Sequence, residues 1–365
     1  MKFLFVTLIV FHGLIHLLGF AKAFHLAAVA QLAQPISKAN GALWLVAALL
    51  FVLAALLWWF KNDTWWLFAV VATLVSQYLI FTSWQDAKFG TVVNVIVLMA
   101  ALIGYGTVRF SHAYEADVQA GLKQTAAIPD TLLTEADLQP LPAPVQRYLR
   151  YVGVVGKPKV RSFKVAFVGE IRKDEQSEWM PFSSEQYNFM EVPTRLFFMK
   201  ATMKHLPVAG YHAYKNGTAF MDIRLFSLLK VQYQTGKEMG VAETVTFFND
   251  MCCMAPATLI DKRIQWSETD GQKVKAAFTT NGITITAWLY FNDAGALVNF
   301  VSNDRYAAGD NNTMQQLPWS TPLQDYNTFN GYRLPGYSAA IYTYPQGDLC
   351  YGTFRLSEIE YNPTE

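Results

Sequence analysis

Residues 39–85 decide the fold of the first third of the chain: they read ANGALWLVAALLFVLAALLWWF (39–60), KND (61–63) and TWWLFAVVATLVSQYLIFTSWQ (64–85). Neither of the two long runs contains Asp, Glu, Lys or Arg. The hydrocarbon core of a bilayer is about 30 Å thick, and roughly 20 helical residues cross it. Two more uncharged runs flank this pair. The sequence therefore predicts a four-helix transmembrane bundle within residues 1–110, with spans near 3–21, 39–60, 64–85 and 89–108.

The ends of these runs carry residues that favour a membrane surface. Tryptophan prefers the headgroup level, because its ring is apolar while its N–H can donate a hydrogen bond. The tryptophans at the run ends are Trp58, Trp59, Trp65, Trp66 and Trp84. The turns 61–63 and 86–88 have three residues each, so the last three spans should be antiparallel neighbours. We expect a multi-pass protein of the cell (inner) membrane, with the lipid bilayer as its first partner.

Two questions of topology stay open in the sequence. Lys2, the apolar run after it and Ala21-Lys22-Ala23 also resemble a secretory signal, so residues 1–23 are either the first span or a cleaved segment. Basic residues do not fix sidedness, since four spans place three on each side of the bilayer. The two groups are Lys2, Lys61 and Arg109 against Lys22, Lys38 and Lys88. A cytoplasmic start, which we favour, would leave the C-terminal domain cytoplasmic.

Four polar residues fall inside the predicted spans, and such groups are costly at membrane depth. They are His12, His16, Gln77 and Asn94. The two histidines are four residues apart and share one helix face. One hypothesis is a haem or metal site, and another is a proton-linked or quinone site that includes Gln77 and Asn94. The alternative is a pair of neutral imidazoles that form hydrogen bonds across helices. The spacing fits no zinc-protease motif, because position 13 is Gly.

The composition of residues 111–365 excludes some classes of function. This part has 23 basic and 26 acidic residues, a net charge of −3, so it lacks the basic footprint typical of nucleic-acid binding. Cys252, Cys253 and Cys350 form neither a disulfide framework nor a metal-type spacing. We interpret them as free, small apolar side chains. The sequence predicts no cofactor and no metal.

The remaining chain divides into a connector and a β domain. Residues 111–158 are first polar and helical in pattern, and then broken repeatedly by prolines. From residue 159 to 365 apolar and polar residues alternate, and hairpin signals such as Asn281-Gly282 separate the runs. Glu243 to Leu259 is the main exception, with apolar residues at helical spacing. We therefore predict an α+β domain, dominated by a curved, half-barrel-like antiparallel sheet with one or a few covering helices.

Aromatic side chains crowd this predicted sheet. One helix can cover only part of one face, so the sheet could curl around an apolar cavity and hold a lipid or another apolar ligand. The candidate ligand contacts are Trp179, Tyr187, Phe198, Trp266 and Trp288. The alternative is an ordinary packed core with surface tyrosines.

The sequence contains few patterns that are typical of catalytic sites. The sequence has no G-x-S-x-G, no P-loop and no Cys/His cluster. Glu185, Arg195 and Glu243 are the weak candidates for a catalytic group, with an acid–base role for the carboxylates. Further polar residues that could meet them in space are His205, His212, Asp222, Asp304 and Arg305.

Several segments resemble an uncharacterised bacterial membrane-protein family known only as a domain of unknown function. The matching segments are LPAPVQRYLR (141–150), SEQY (184–187), RLFFM (195–199), FNDMC (248–252), APATL (255–259), DRY (304–306), PWSTP (318–322) and GYRLP (331–335). The resemblance implies a fold similar to the half-barrel of periplasmic lipoprotein carriers. It implies no catalytic residues, since the family has no established activity.

Three hypotheses of function follow. The first is a membrane-tethered binding module for a lipid or another apolar ligand. The second is an enzyme that acts on a membrane-associated substrate; it requires Glu185, Arg195 and Glu243 to converge in a pocket. The third is a transport or redox role of the bundle through His12 and His16, and it depends on whether those rings face the bundle interior.

Overall fold

The computed structural model describes residues 2–309 and 313–364, and the chain divides into two compact units, Met1–Phe110 and Ser111–Glu365. We refer to them as the membrane unit and the β unit. The helices that begin in the membrane unit are α1 (Lys2–Ala23), α2 (Lys38–Trp59), α3 (Trp65–Thr82), α4 (Trp84–Ala87) and α5 (Gly90–Thr125). The residues of α5 from Ser111 onward belong to the β unit.

Within the described residues, four helices are long and apolar enough to cross a membrane, namely α1, α2, α3 and α5. This result confirms the four helices predicted from the uncharged runs. The third run, however, is not one helix, because α3 ends at Thr82 and α4 follows Ser83. The Thr82 hydroxyl donates a hydrogen bond to the Leu79 carbonyl, a local bond that competes with the regular helix pattern.

The β unit contains short helices and a large sheet. Its remaining elements are α6 (Glu135–Leu138), α7 (Ala143–Val152), β1 (Ser162–Ile171), β2 (Met180–Phe189), β3 (Thr194–Met203), β4 (Leu206–Lys215), β5 (Thr218–Leu225), β6 (Leu229–Thr235), α8 (Lys237–Cys253), a 3₁₀ helix (Pro256–Ile260), β7 (Ile264–Asp270), β8 (Lys273–Thr280), β9 (Ile283–Phe291), β10 (Leu297–Ser302), β11 (Tyr306–Ala308), β12 (Met314–Gln316), β13 (Trp319–Phe329), β14 (Tyr332–Tyr344) and β15 (Gly347–Tyr361).

In the part of the chain that is described, thirteen strands form one sheet in the order β6-β5-β4-β3-β2-β1-β15-β14-β13-β10-β9-β8-β7. Neighbouring strands are antiparallel throughout, as in the pairs β2–β3 and β8–β9. The small hairpin β11–β12 stands apart from it. These observations confirm the predicted α+β class with a dominant antiparallel sheet and covering helices. The edges of the sheet are β6 and β7.

Helix α8 covers one face of the sheet, which we call the inner face. Almost all of its side chains are buried, and it contacts strands β4 to β6 and β9 to β11. The sequence predicted this helix over 243–259, but it begins earlier, at Lys237, and ends at Cys253. The early end follows from Pro256, which lacks a backbone N–H and disfavours helical geometry in the preceding residue. One continuous apolar core fills the space beneath α7 and α8.

The opposite face of the sheet, called the outer face, is partly covered by residues 111–125 of α5. Tyr114 packs its ring against Phe198 and Tyr211, with centroids 5.3 and 5.6 Å apart. At Gly121 the helix lies so close to Phe189 that an added Cβ would be 2.3 Å from the ring. The connector helix predicted from the sequence is therefore also a covering element of the sheet.

Candidate functional site

The membrane unit contains a hydrogen-bonded network that joins three helices. His12 of α1 bonds through Nε2 to Asn94 Oδ1 of α5 at 3.0 Å, and His16 Nε2 lies 2.8 Å from Ser76 Oγ of α3. Asn94 Nδ2 donates to both Ser76 Oγ and Gln77 Oε1, each at 3.0 Å. The four polar residues selected from the sequence thus lie in one network, with Ser76 as an additional member. Both histidine rings are buried in the bundle interior.

The directions of these bonds can be assigned from the acceptors. His16 Nδ1 lies 2.8 Å from the His12 carbonyl oxygen, which can only accept, so Nδ1 carries the proton. In a neutral ring Nε2 then accepts, and the Ser76 hydroxyl donates to it. Ser76 Oγ still has a lone pair with which to accept from Asn94. These hydrogen bonds can all form with two uncharged imidazoles, as the hydrogen-bonding alternative requires.

The β unit contains a second polar site, a buried cluster between the sheet and α8. Arg195 of β3 donates from Nη1 to Glu243 Oε2 at 3.1 Å and from Nε to Asp250 Oδ2 at 2.8 Å. Its Nη2 donates to Gln186 Oε1 at 2.9 Å. Asp250 Oδ2 also accepts from Gln186 Nε2 and Asn188 Nδ2. One guanidinium thus holds two carboxylates together, and we call these five residues the Arg195 cluster.

Local structure explains why these side chains meet. Gln186 and Asn188 are two apart on β2, so both point to the inner face, and Asn188 is paired with Arg195 across the ladder. Glu243 and Asp250 are seven residues apart on α8, which places them on one side of the helix two turns apart. The side chains of Arg195, Glu243 and Asp250 are 8%, 2% and 11% exposed. Because solvent barely reaches the cluster, its members must satisfy one another.

Charges around the cluster set the ionisation of its neighbours. Burial acts to raise the pKa of Glu243, but the positive charges of Arg195 and Arg305 outweigh it and hold the pKa below its usual value. Burial lowers the pKa of His212 to about 4, so this ring is neutral at pH 7. Arg305 is held at α8 by the Ala242 carbonyl and the Thr246 hydroxyl. The site therefore combines fixed charges with a neutral histidine.

Glu185, the third catalytic candidate, does not belong to the Arg195 cluster. Glu185 precedes Gln186 on β2 and so points to the outer face. There it accepts a hydrogen bond from the Tyr114 hydroxyl at 3.1 Å and pairs with Lys164 at 3.1 Å. Arg195 and Glu243 are therefore brought together, while Glu185 is separated from them by the sheet. The convergence that the enzymatic hypothesis required involves two of its three residues.

The five aromatic candidates are distributed over both faces. Tyr187 and Phe198 are neighbours of Glu185 on the outer face and are nearly buried. Trp179 precedes β2 and stacks against Arg172. Trp266 packs against the inner core, while Lys273 and Lys275 lie over the ring of Trp288. The structure brings Tyr187 and Phe198 together and keeps the three tryptophans apart from them.

Two surface concavities lie away from these aromatic positions. One, of about 370 Å³, is formed by Val6, Val10 and neighbouring residues of α1. Another, of about 440 Å³, lies over β13 to β15 beside Asp325 and Arg355. Neither is lined by any of the five aromatic candidates. A ligand that touched the predicted contacts would therefore bind outside both concavities.

Sequence reasoning missed Gln186, Asn188 and Asp250 as members of the Arg195 cluster. A signal for them was present, because the segments SEQY (184–187), RLFFM (195–199) and FNDMC (248–252) each contribute one residue to the cluster. The segment DRY (304–306) contributes the neighbouring Arg305. Motifs that are scattered along the chain thus converge at one buried place in the fold.

Comparison with protein families identifies the β unit. Residues 131–354, more than half of the chain, match the family model DUF6544, described as a family of unknown function. The chain belongs to this family. The match confirms the resemblance to a family of unknown function and covers every motif segment quoted for it. Comparison with curated proteins gives no match.

Some solved structures are distantly similar to this chain. A LolA superfamily protein from Nitrosomonas europaea is 8% identical, and the alignment covers 60% of this chain and 93% of that one, with a TM-score of 0.33. A DUF1329 family protein from Desulfovibrio piger is 10% identical, with 60% and 92% covered and a TM-score of 0.33. These scores are low, so a function for this chain has to rest on its own residues.

Proposed function

We propose that the protein is a membrane-anchored binding protein whose β unit binds a lipid or another apolar ligand. The observation that carries the proposal is a row of aromatic rings that crosses the outer face and ends in solvent. The ring centroids of Phe198 and Tyr211 are 6.3 Å apart, and those of Tyr211 and Phe220 are 5.2 Å apart. Phe220 stacks on Tyr233 with a centroid distance of 6.3 Å. We call these four residues the aromatic row.

The row ends at the sheet edge beside exposed apolar side chains. Tyr233 is 39% exposed, and Val231 and Leu229 on the same strand are 55% and 61% exposed. Tyr233 is paired with Asp222 and lies on the outer face, whereas the β5–β6 ladder shifts by one residue at Val231 and pairs Leu229 with Leu225, which packs on the inner core. Contiguous exposed apolar surface on a soluble domain marks a site for an apolar partner. An acyl chain lying along the β6 edge would cover the exposed Val231, Tyr233 and the end of the row.

The inner face offers a lipid less room. The space beneath α8 is filled by one apolar core and by the Arg195 cluster. A ligand there would have to displace packed side chains. It would also separate buried charges of the Arg195 cluster, and a buried charge without its partner is costly. The same burial argues against the enzymatic alternative, because a substrate could reach Arg195 and Glu243 only after α8 had opened. Binding along the outer edge requires no such opening.

We propose that the protein lies in the inner membrane. Membrane localisation is supported by four helices of membrane-spanning length and composition, namely α1, α2, α3 and α5. Both chain ends then lie on one side, which we take to be the cytoplasm. A tethered module meets membrane-derived ligands at a high effective concentration, so modest intrinsic affinity suffices.

A photoreactive phospholipid tests the proposed function. The full-length protein in detergent is incubated with a phospholipid that carries a diazirine on one acyl chain, irradiated and analysed by peptide mass spectrometry. We expect adducts on the peptide that contains Leu229, Val231 and Tyr233, and fewer of them in a Val231→Asp variant. Val168→Asp is the matched control, because Val168 is 47% exposed on β1 and lies outside the row. Adducts restricted to the membrane helices would overturn the proposal.

A further inference from the structure

One end of the sheet has hairpin turns of an unusual composition. The β3–β4 turn is Lys204-His205, with φ of 47° and 67°, and the β5–β6 connection contains Phe226-Ser227, with φ of 54° and 57°. Positive φ is uncommon for such residues, and for a bulky residue it is a genuine outlier. The β4–β5 turn at the opposite end is Asn216-Gly217, with φ of 51° and 75°.

Asn-Gly is the sequence that tolerates this left-handed geometry most readily. The β8–β9 and β13–β14 turns use it too, as Asn281-Gly282 and Asn330-Gly331. The chain therefore uses the favourable pair in three hairpins and accepts strained residues in two neighbouring ones. Strain of this kind, of order 1–3 kcal/mol per residue, persists where the side chains serve another purpose.

The side chains around these two turns share a common character. Met203, Leu206 and Leu228 are 37%, 40% and 39% exposed. Lys200, Lys204 and Lys230 are exposed beside them. We call these six residues the tip. Apolar side chains interleaved with lysines are the pattern of surfaces that enter the headgroup region of a bilayer, where the aliphatic part of lysine is also accommodated.

The charge at the tip is positive. Arg224 and Lys230 both pair with Asp222, which is 7% exposed, so one buried carboxylate faces two of the cations. Lys200 and Lys204 add two more positive charges. The cations of this region thus outnumber its carboxylate by three. Such a surface complements a membrane that contains anionic phospholipid.

Residues 111–125 of α5 begin near the end of the sheet that carries the tip. Gly121 lies against Phe189, which is paired with Thr194 at the first residue of β3. Tyr114, two turns earlier in α5, lies against Phe198, further along β3 in the direction of Met203. Residues 111–125 therefore run away from the tip.

We propose that the tip docks on a bilayer surface that contains anionic phospholipid. In the docked state Met203, Leu206 and Leu228 enter the headgroup region, and the lysines contact lipid phosphates. The inference rests on the proposed function in one respect, since it brings the β6 edge next to its source of lipid. The connection 172–179 lies at the same end of the sheet but carries Asp174, Glu175 and Glu178, so docking should favour the β3–β6 side.

A polarity-sensitive fluorophore on the tip tests the proposal. The full-length protein carries Leu228→Cys in a Cys350→Ser background, because Cys252 and Cys253 are buried and Cys350 is the partly accessible thiol. The labelled protein is reconstituted into nanodiscs of phosphatidylcholine alone or with one third phosphatidylglycerol. Control labels replace Val192, exposed at the opposite end of the sheet, and Glu175 on the acidic connection.

We expect a blue-shifted emission and quenching by lipid-borne nitroxides at position 228 in the anionic discs, and neither effect at 192. Position 175 should be quenched less than 228. Replacing Lys200 and Lys204 by Gln should weaken docking about 30-fold, since each lysine near an anionic surface shifts the equilibrium about fivefold. Emission at 228 that is the same in both lipid mixtures would overturn the proposal.

Three further outcomes distinguish docking of the tip from self-association and from lipid binding at β6. A blue shift at 228 that is present in detergent without lipid and grows with protein concentration would show a second copy of the chain on the tip, and would overturn the proposal. Lipid adducts on β6 in detergent without docking in nanodiscs would reject the tip and leave the proposed function standing. Docking without those adducts would support the tip and reject the lipid site on β6.

Discussion

Replacing Arg195 by Met would test whether the Arg195 cluster is a closed, charge-paired core of the β unit. Met keeps most of the side-chain volume of Arg but removes the guanidinium. Glu243 and Asp250, which accept from it at 3.1 and 2.8 Å, would then remain buried without their cation. Removal of one partner of a buried ion pair costs about 3–5 kcal/mol, because the remaining charge is left uncompensated.

The expected effect can be read from thermal unfolding of the full-length protein in detergent. A domain of this size loses about 2–4 °C in its unfolding midpoint per kcal/mol, so Arg195→Met should lower the midpoint of the β unit by roughly 6–20 °C. Combining it with Glu243→Gln and Asp250→Asn should recover a large part of this loss, because no buried charge then lacks a partner.

Arg150→Met is the matched control. Arg150 forms an equally short ion pair with Glu135 at 2.7 Å, but the two side chains are 47% and 56% exposed. Solvent screens such a pair, so its loss should leave the midpoint almost unchanged. Equal midpoints for Arg195→Met and Arg150→Met would refute the reasoning. So would a triple variant that is less stable than Arg195→Met alone.

Two other predictions concern ionisation and the membrane network. The depressed pKa of His212 means that the unfolded chain binds a proton that the folded chain rejects. The contribution of His212 to stability should therefore fall by about 1.4 kcal/mol per pH unit as the pH drops from 6.5 to 4, and His212→Leu should reduce the measured slope by this amount across the range. An unchanged slope would contradict the burial of this ring. In the membrane unit, His12→Leu and Asn94→Leu should be coupled by about 0.6 kcal/mol, and by no more than about 2 kcal/mol, in a double-mutant cycle followed by denaturing-detergent titration. Strict additivity would argue against their hydrogen bond.

The sequence predicted the membrane helices well, because their signal is local. An uncharged run of about 20 residues has few structural alternatives, and α1, α2, α3 and α5 follow from it. The break at Ser83 was missed, since it depends on hydrogen bonds of single side chains. Likewise, the alternation and the Asn-Gly turns indicated an antiparallel sheet, but the order of its strands is not encoded in any one segment.

The buried cluster shows where sequence reasoning reached its limit. Arg195 and Glu243 were selected for their chemistry, but their separation by 48 residues gave no reason to pair them. Glu185 was selected on the same grounds and lies on the opposite face, because a shift of one residue along a strand reverses the direction of the side chain. The pairing of β2 with β3 and the placement of α8 decide these contacts. Both are long-range features.

The central claim is that the outer edge of the β unit binds lipid, and native mass spectrometry of the intact protein tests it most directly. The full-length wild type, released from detergent, should carry the added mass of one phospholipid. This mass should be lost in a Val231→Asp, Tyr233→Ser double variant and kept in Val168→Asp. Equal lipid occupancy in the wild type and in both variants would contradict the account.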